Sequence, residues 1–313
     1  MTYKEFVTKS INSLSEIYSI GESKALAVRV LTFVLDISDY QYMIEPGTII
    51  PKSDLVKLNK AVDELLLHRP IQYVLGFEFF AGHKFKVNES VLIPRPETEE
   101  LYRMIVSKWG EKGKYDDLKI LDLCTGSGCL AYSLAVDFPR TNVIACDLSE
   151  NALDVASSQK IFVDSKSSRP LLNIPFFLKW DVLLGPPEDK DKNAALSKKG
   201  KYDAIPDLDG VDIVVSNPPY VCEAERDFMS PNVLEYEPNM ALFVPDSDPL
   251  RFYRAIADWC VELLKTGGMA YFEINEAYSK QVVKLFESCG FSEITVVEDI
   301  HSKPRFVYFT KWF

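Results

Sequence analysis

Asn217, Pro218, Pro219 and Tyr220 stand together at the end of an apolar run, in VVSNPPYV over 214–221. Neither proline has a backbone N–H and each fixes its own φ, so the turn is rigid. The Asn217 side-chain oxygen and the Pro218 carbonyl are two acceptors held in one place. An –NH2 group on an sp2 carbon offers two donors to such a pair. Gripping both hydrogens would aim the nitrogen at a methyl donor and stabilise the positive charge that grows on it. Orientation of this kind is worth roughly 7–11 kcal/mol, and proton loss after transfer removes the need for a strong general base. Tyr220 is expected to pack against the planar amide or base.

A second constellation lies upstream in DLCTGSGCLA, residues 122–131. Gly126 and Gly128 allow a tight turn and a close ligand. The pattern reads G-x-G-x-x-A, with Asp147 at the end of the next strand. It fits NAD and S-adenosyl-L-methionine about equally. Asp122 helps to separate them. A carboxylate at the foot of the loop repels a pyrophosphate and favours the sulfonium and ammonium of adenosylmethionine. Asp147 is expected to accept from two ribose hydroxyls. Asp181, closing the third strand, is expected near the adenine amino group.

The elements that must position these groups follow a simple rhythm. Residues 1–70 read as a small helical domain, with apolar faces through Ala25, Val28, Leu31 and Leu35 and through Leu55, Leu58, Val62, Leu65 and Leu66. Such a bundle could serve as a stabilising cap or, equally, hold a substrate protein, and it is read as a substrate-recognition domain. Residues 71–95 read as a linker carrying a β-hairpin, EFFAGHKFKV, that turns at Ala81-Gly82. The main domain, 96–313, starts with a helix at Pro96, its first turn enriched in Glu97, Glu99 and Glu100. Strands are expected in LKILDLC, TNVIACDL, IPFFLKWDV, GVDIVVS and GMAYFEIN, with a closing hairpin of FSEITVVED and PRFVYFTKWF. Helices are expected in SGCLAYSLAVDF, SENALDVASSQKIFV, DPLRFYRAIADWCVELL and SKQVVKLFESCG. This is an α/β, doubly wound, Rossmann-like sheet of seven strands whose last hairpin is antiparallel. In it the fourth strand lies beside the first, so Asn217 faces the same crevice as the glycine loop. The polar stretch 184–210 reads as a solvated surface insertion.

Composition narrows the partners. Forty-six acidic against 35 basic residues leave a net charge of −11, the reverse of the basic footprint of a nucleic-acid binder. No apolar run reaches the roughly 18 residues of a membrane span. The N-terminus lacks a secretory core and carries Glu5 and Glu16, so the expected location is the cytoplasm and the default state a monomer. The six cysteines, with no C-x-x-C pair, read as reduced thiols, and the three scattered histidines predict no metal site.

Taken in order, PIQYVLGFEFFAGHKFKV, VLIPRPETEEL, ILDLCTGSGCLA, SNPPYV, EYEPNMALFV and GGMAYFEI resemble the PrmC/HemK family, protein-(glutamine-N5) methyltransferases that act on peptide chain release factors. The resemblance spans almost the whole chain. A sister family acting on a ribosomal-protein glutamine shares NPPY but departs from the segment intact here from Arg95 to Glu99. The resemblance implies S-adenosyl-L-methionine as cofactor and the glutamine of a Gly-Gly-Gln loop as substrate. It implies that Asn217 and Pro218 hold the glutamine amide while Pro219 and Tyr220 shape its slot. It implies cofactor contacts from Cys124, Thr125, Gly126, Ser127, Gly128, Asp147 and Asn217, with Arg95 and Glu97 at the mouth. Cys124 replaces a common glycine, so its backbone is expected not to be left-handed. Val182 stands where an aromatic often follows the acid, and EDIHSKPRF lacks the family's glycine. The alternative reading is a nucleic-acid adenine N6-methyltransferase, which would need base flipping.

Overall fold

The computed structural model describes residues 1–110, 117–164, 169–171, 173–188 and 200–313. The chain forms two compact units. One comprises Met1–Phe77 and Ser230–Tyr236, the other Glu78–Met229 and Glu237–Phe313.

The helical unit is built from Tyr3–Leu14, Ile20–Leu35, Asp39–Ile44, Lys52–Leu66 and Ile71–Leu75. Hydroxyl caps start three of these helices: Thr2, Ser19 and Ser38 each accept a backbone N–H from the first turn. At Thr2 the Glu5 carboxylate reaches back to the cap's own N–H at 2.8 Å, which completes a capping box. Phe6, Leu14, Val30, Leu31, Leu58 and Leu65 meet in its core. Ala25 is exposed; the buried stripe of the second helix runs through Ala27, Val30 and Leu31 instead. The short helix Pro231–Tyr236 belongs to this unit, and the Tyr236 hydroxyl donates to the Leu67 carbonyl at 2.6 Å.

The second unit carries the seven-stranded sheet. Its strands in chain order are β1 (Lys119–Leu123), β2 (Asn142–Asp147), β3 (Phe176–Lys179), β4 (Val211–Ser216), β5 (Leu264–Glu273), β6 (Ser292–Glu298) and β7 (Pro304–Thr310). Across the sheet they run β6-β7-β5-β4-β1-β2-β3. β7 is antiparallel to both neighbours, and the other pairings are parallel. All six residues of β4 are buried, as expected of a central strand covered on both faces. Alternate residues feed opposite layers. Leu121, Leu123 and Val214 pack with Trp259 and Phe286, whereas Ile120, Ile213 and Val215 pack with Leu101, Leu130 and Leu134. Strand order reverses between β1 and β4, which opens the crevice in which doubly wound folds bind ligands.

Several expected elements end early. The helix begun at Glu150 stops at Ser157. The Gln159 side chain then bonds both backbone groups of Lys86 and the carbonyl of Ser127, which pulls the chain out of helix. The third strand covers only Phe176–Lys179, because Asp181 caps a 3-10 turn over Val182–Leu184. The 184–210 stretch is not wholly a solvated excursion. Tyr202 and Leu208 are buried, and the Tyr202 carbonyl accepts from Lys179 N at 2.9 Å on the outer edge of β3. Residues 189–199 of that stretch lie outside the described residues. The hairpin falls at Phe77–Phe80 and His83–Lys86, with Ala81 and Gly82 both at positive φ, the signature of a tight two-residue turn.

Candidate active site

β1 and β4 pair in register so that Leu123 lies beside Ser216. The residues that follow, Cys124 and Asn217, therefore leave the sheet side by side. They open onto a cleft of about 970 Å³, solvent at its mouth included, which lies wholly within the sheet unit.

The glycine loop forms one wall. Thr125 N bonds the Cys146 carbonyl at 3.0 Å, Gly128 N bonds the Thr125 carbonyl at 2.9 Å, and Gly126 N donates to Asp147 Oδ2 at 2.9 Å. Cys124, Gly126 and Gly128 have φ of 61, 56 and 79°. Cys124 is thus left-handed, against expectation. The chain must reverse immediately after β1, and the cysteine carries the strain that glycine would not. Burial pushes its thiol pKa well up, so it is a neutral wall group and not a nucleophile.

Asp147 ends β2 with both carboxylate oxygens engaged, Oδ2 by Gly126 N and Oδ1 by Ser149 N at 2.9 Å. Burial raises its pKa, and these backbone donors counter the shift. Each oxygen keeps a lone pair for another donor. Asp122 lies deeper, 1% exposed beneath the loop. Its Oδ2 accepts from Thr125 Oγ1 at 2.6 Å, while Oδ1 has no hydrogen-bond partner among the described residues. Burial pushes its pKa up to about 7, opposed by the Thr125 bond, aided by the Asp147 charge and opposed again by the Ala131 N–H. Asp181 holds Leu183 N at 2.9 Å. Val182 is 3% exposed and is fixed from behind by Trp259, whose Nε1 donates to the Val182 carbonyl at 3.1 Å.

Asn217 forms the facing wall. Its Nδ2 donates to Thr98 Oγ1 at 2.9 Å, Thr98 Oγ1 donates to Glu273 Oε2 at 2.8 Å, and the Tyr220 hydroxyl donates to Glu273 Oε1 at 2.7 Å. The Tyr220 carbonyl is pinned by Asn275 Nδ2 at 3.1 Å. Tyr220 does not border the cleft; its hydroxyl finds a buried acceptor in Glu273, which turns the ring away.

Cys124, Thr125, Gly126, Ser127, Asp147, Asp181, Val182, Asn217, Pro219 and Arg95 meet in the cleft wall. Asp122, Gly128, Pro218, Tyr220 and Glu97 do not. Arg95 is tied by Nη2 to Glu237 Oε1 at 2.6 Å, and Glu237 Oε2 accepts Ile93 N at 3.1 Å. Sequence reasoning missed Glu237, Thr98 and Glu273, and it missed Trp180 in the wall. Thr98 lies in VLIPRPETEEL, Glu237 in EYEPNMALFV and Glu273 in GGMAYFEI, where an acid ending the buried run of β5 is the available signal.

Comparison with known proteins gives a consistent result. Residues 5–76 match the family model described as the PrmC N-terminal domain. A release factor glutamine methyltransferase of Bacteroides thetaiotaomicron is 38% identical, with 94% of each chain covered. One of Flavobacterium psychrophilum is 34% identical over 98% of each chain, and one of Chlorobaculum tepidum 32% over 91% of this chain and 90% of that protein. Identity at this level, sustained over nearly the full length of both partners, shows that the chain belongs to the release factor glutamine methyltransferase family.

Proposed function

We propose that the protein transfers a methyl group from S-adenosyl-L-methionine to the side-chain amide nitrogen of the glutamine in the Gly-Gly-Gln motif of a peptide chain release factor, acting in the cytoplasm as a monomer. The observation that carries the reading is that Asn217 shares one cleft with the glycine loop and Asp147. The residues suit the cofactor. Among the described residues, nothing lies within 4 Å of where a Cβ on Gly126 would stand, so the loop leaves room for a ligand. Asp147 retains acceptor capacity for ribose hydroxyls, and Leu148, Trp180 and Val182 give an apolar lining beside Asp181 for an adenine. When bound, S-adenosyl-L-methionine supplies an electrophilic methyl group on sulfur.

The chain's own residues do the positioning. Asn217 Oδ1 accepts one N–H of the substrate amide at the cleft wall; the Pro218 carbonyl, next in the same rigid turn but outside that wall, takes the second once the amide is seated. Pro219 keeps that turn stiff and borders the slot. As the nitrogen gains positive charge, these acceptors stabilise it without reorganising. Cys124 and the apolar wall keep water from the reacting nitrogen. The helical unit is the surface that takes the folded substrate, and the net charge of −11 disfavours a nucleic-acid substrate.

The test is mass spectrometry of a release factor after incubation with enzyme and cofactor, with duplex DNA as a parallel substrate. One glutamine gains a methyl group. Label entering DNA and not the factor would reverse the reading in favour of adenine methylation. Asn217→Ala keeps most of the cofactor affinity and loses most of the turnover.

A further inference from the structure

The site contains one chain of hydrogen bonds whose polarity is fixed by counting protons. Glu273, the last residue of β5, is 2% exposed. As a carboxylate it can only accept, and it receives Tyr220 and Thr98 on its two oxygens. Thr98 has a single hydroxyl proton, which is spent on Glu273. Toward Asn217 the Thr98 oxygen can therefore only accept, so Nδ2 of the amide must face it, as observed. The opposite end of the amide, Oδ1, is left to accept from a substrate. Thr98 itself borders the cleft and is held by Asn217 Nδ2 on the first turn of the helix Pro96–Trp109, while Glu273 is outside the wall.

We infer that Glu273 and Thr98 are positioning residues for the methyl transfer: the Glu273 carboxylate, acting through the Thr98 hydroxyl, holds the Asn217 amide with its oxygen toward the acceptor nitrogen. The inference rests on the reading that Asn217 accepts from the substrate amide. A flipped Asn217 would present N–H to N–H and repel the substrate. Tyr220 acts at the far end of the same chain, since its hydroxyl keeps Glu273 satisfied and in place.

The experiment compares Thr98→Val, Thr98→Ser and Glu273→Gln, each alone and with Asn217→Ala, using full-length enzyme, a release factor and S-adenosyl-L-methionine. Thr98→Val removes the hydroxyl at constant shape and lowers kcat about a hundredfold, with cofactor Kd by calorimetry changed less than about threefold. Thr98→Ser restores the hydroxyl and recovers most of kcat. Glu273→Gln leaves one acceptor oxygen for the two hydroxyls of Thr98 and Tyr220, so Thr98 loses its assured acceptor, the Asn217 amide is held less firmly, and kcat falls with the same split from cofactor affinity. In the Asn217→Ala background neither change costs further turnover, because the residue through which they act is gone. Normal turnover in Thr98→Val, or losses that multiply with that of Asn217→Ala, would overturn the inference. Normal turnover in Asn217→Ala would instead remove the reading beneath it. Should Thr98→Val fold poorly, a Thr98→Ser variant as inactive as Asn217→Ala while binding cofactor normally would also count against it.

Discussion

Replacing Asp122 by asparagine removes a buried carboxyl whose pKa stands at about 7 in place of the ordinary 3.8. Between those two values the folded protein holds a proton that the unfolded chain has released. The raised folded value means that stability is fully present at low pH and is lost as pH rises through this window. Its slope is at most about 1.36 kcal/mol per pH unit. From about pH 5 to about pH 8 the loss from this one group comes to roughly 2–3 kcal/mol. Urea unfolding followed by tryptophan fluorescence measures it cleanly, because Trp109, Trp180, Trp259 and Trp312, the chain's four tryptophans, all lie in the sheet unit. Wild type should lose about 2–3 kcal/mol more than Asp122→Asn between those conditions. Parallel pH profiles for the two proteins would refute the reasoning, for they would mean that Asp122 does not change its charge in this range.

Three further outcomes follow from the same geometry. Gly126→Ala and Gly128→Ala both force a side chain into positive φ. At Gly128 the new Cβ also meets Ala156 Cβ and Tyr132 at 3.3 Å, so thermal denaturation should show the larger loss there, beyond the roughly 1–2 kcal/mol of a left-handed residue. Arg95→Ala strands the Glu237 carboxylate, whose side chain is 1% exposed, while Glu237→Gln leaves an arginine that is 31% exposed; the first should be the more destabilising by denaturant titration, with up to about 3–5 kcal/mol for a stranded buried charge. Burial raises the Glu273 pKa above the ordinary 4.5, against the lowering by Tyr220, Thr98 and Arg305, and Glu97 adds to the rise. Protonation leaves one fully accepting oxygen for the two hydroxyl donors, so kcat should fall as pH drops through that raised value, and the acid limb should be weaker in Thr98→Val.

What could be read from the sequence was what depends on neighbours in the chain. The hairpin turn at Ala81-Gly82, the helix start at Pro96 and the diproline after β4 are local events set by φ restrictions. The pairing of β1 with β4 followed from the strand rhythm, and with it the meeting of Cys124 and Asn217. Thr98 and Glu273 escaped because 175 residues separate them, and a lone threonine in a helix has no spacing to betray it. Cys124 misled for a physical reason. A non-glycine residue argues against positive φ, yet the reversal after β1 imposed it. The early end of the helix at Ser157 was set by Gln159 bonding to Lys86, 73 residues away, which no propensity records.

The path of the chain after the diproline turn has a practical corollary. Residues 230–236 leave the sheet unit and complete the helical one, so the polypeptide passes between units at 77/78, 229/230 and 236/237. No single cut separates the two. A fragment ending at Phe77 would lack the turn that brings Tyr236 to Leu67, and a sheet fragment starting at Glu78 would display an orphaned helix in mid-sequence. Chimeras that swap the N-terminal portion between relatives therefore need both pieces exchanged together, and recombination at the obvious boundary alone should give poorly expressed hybrids.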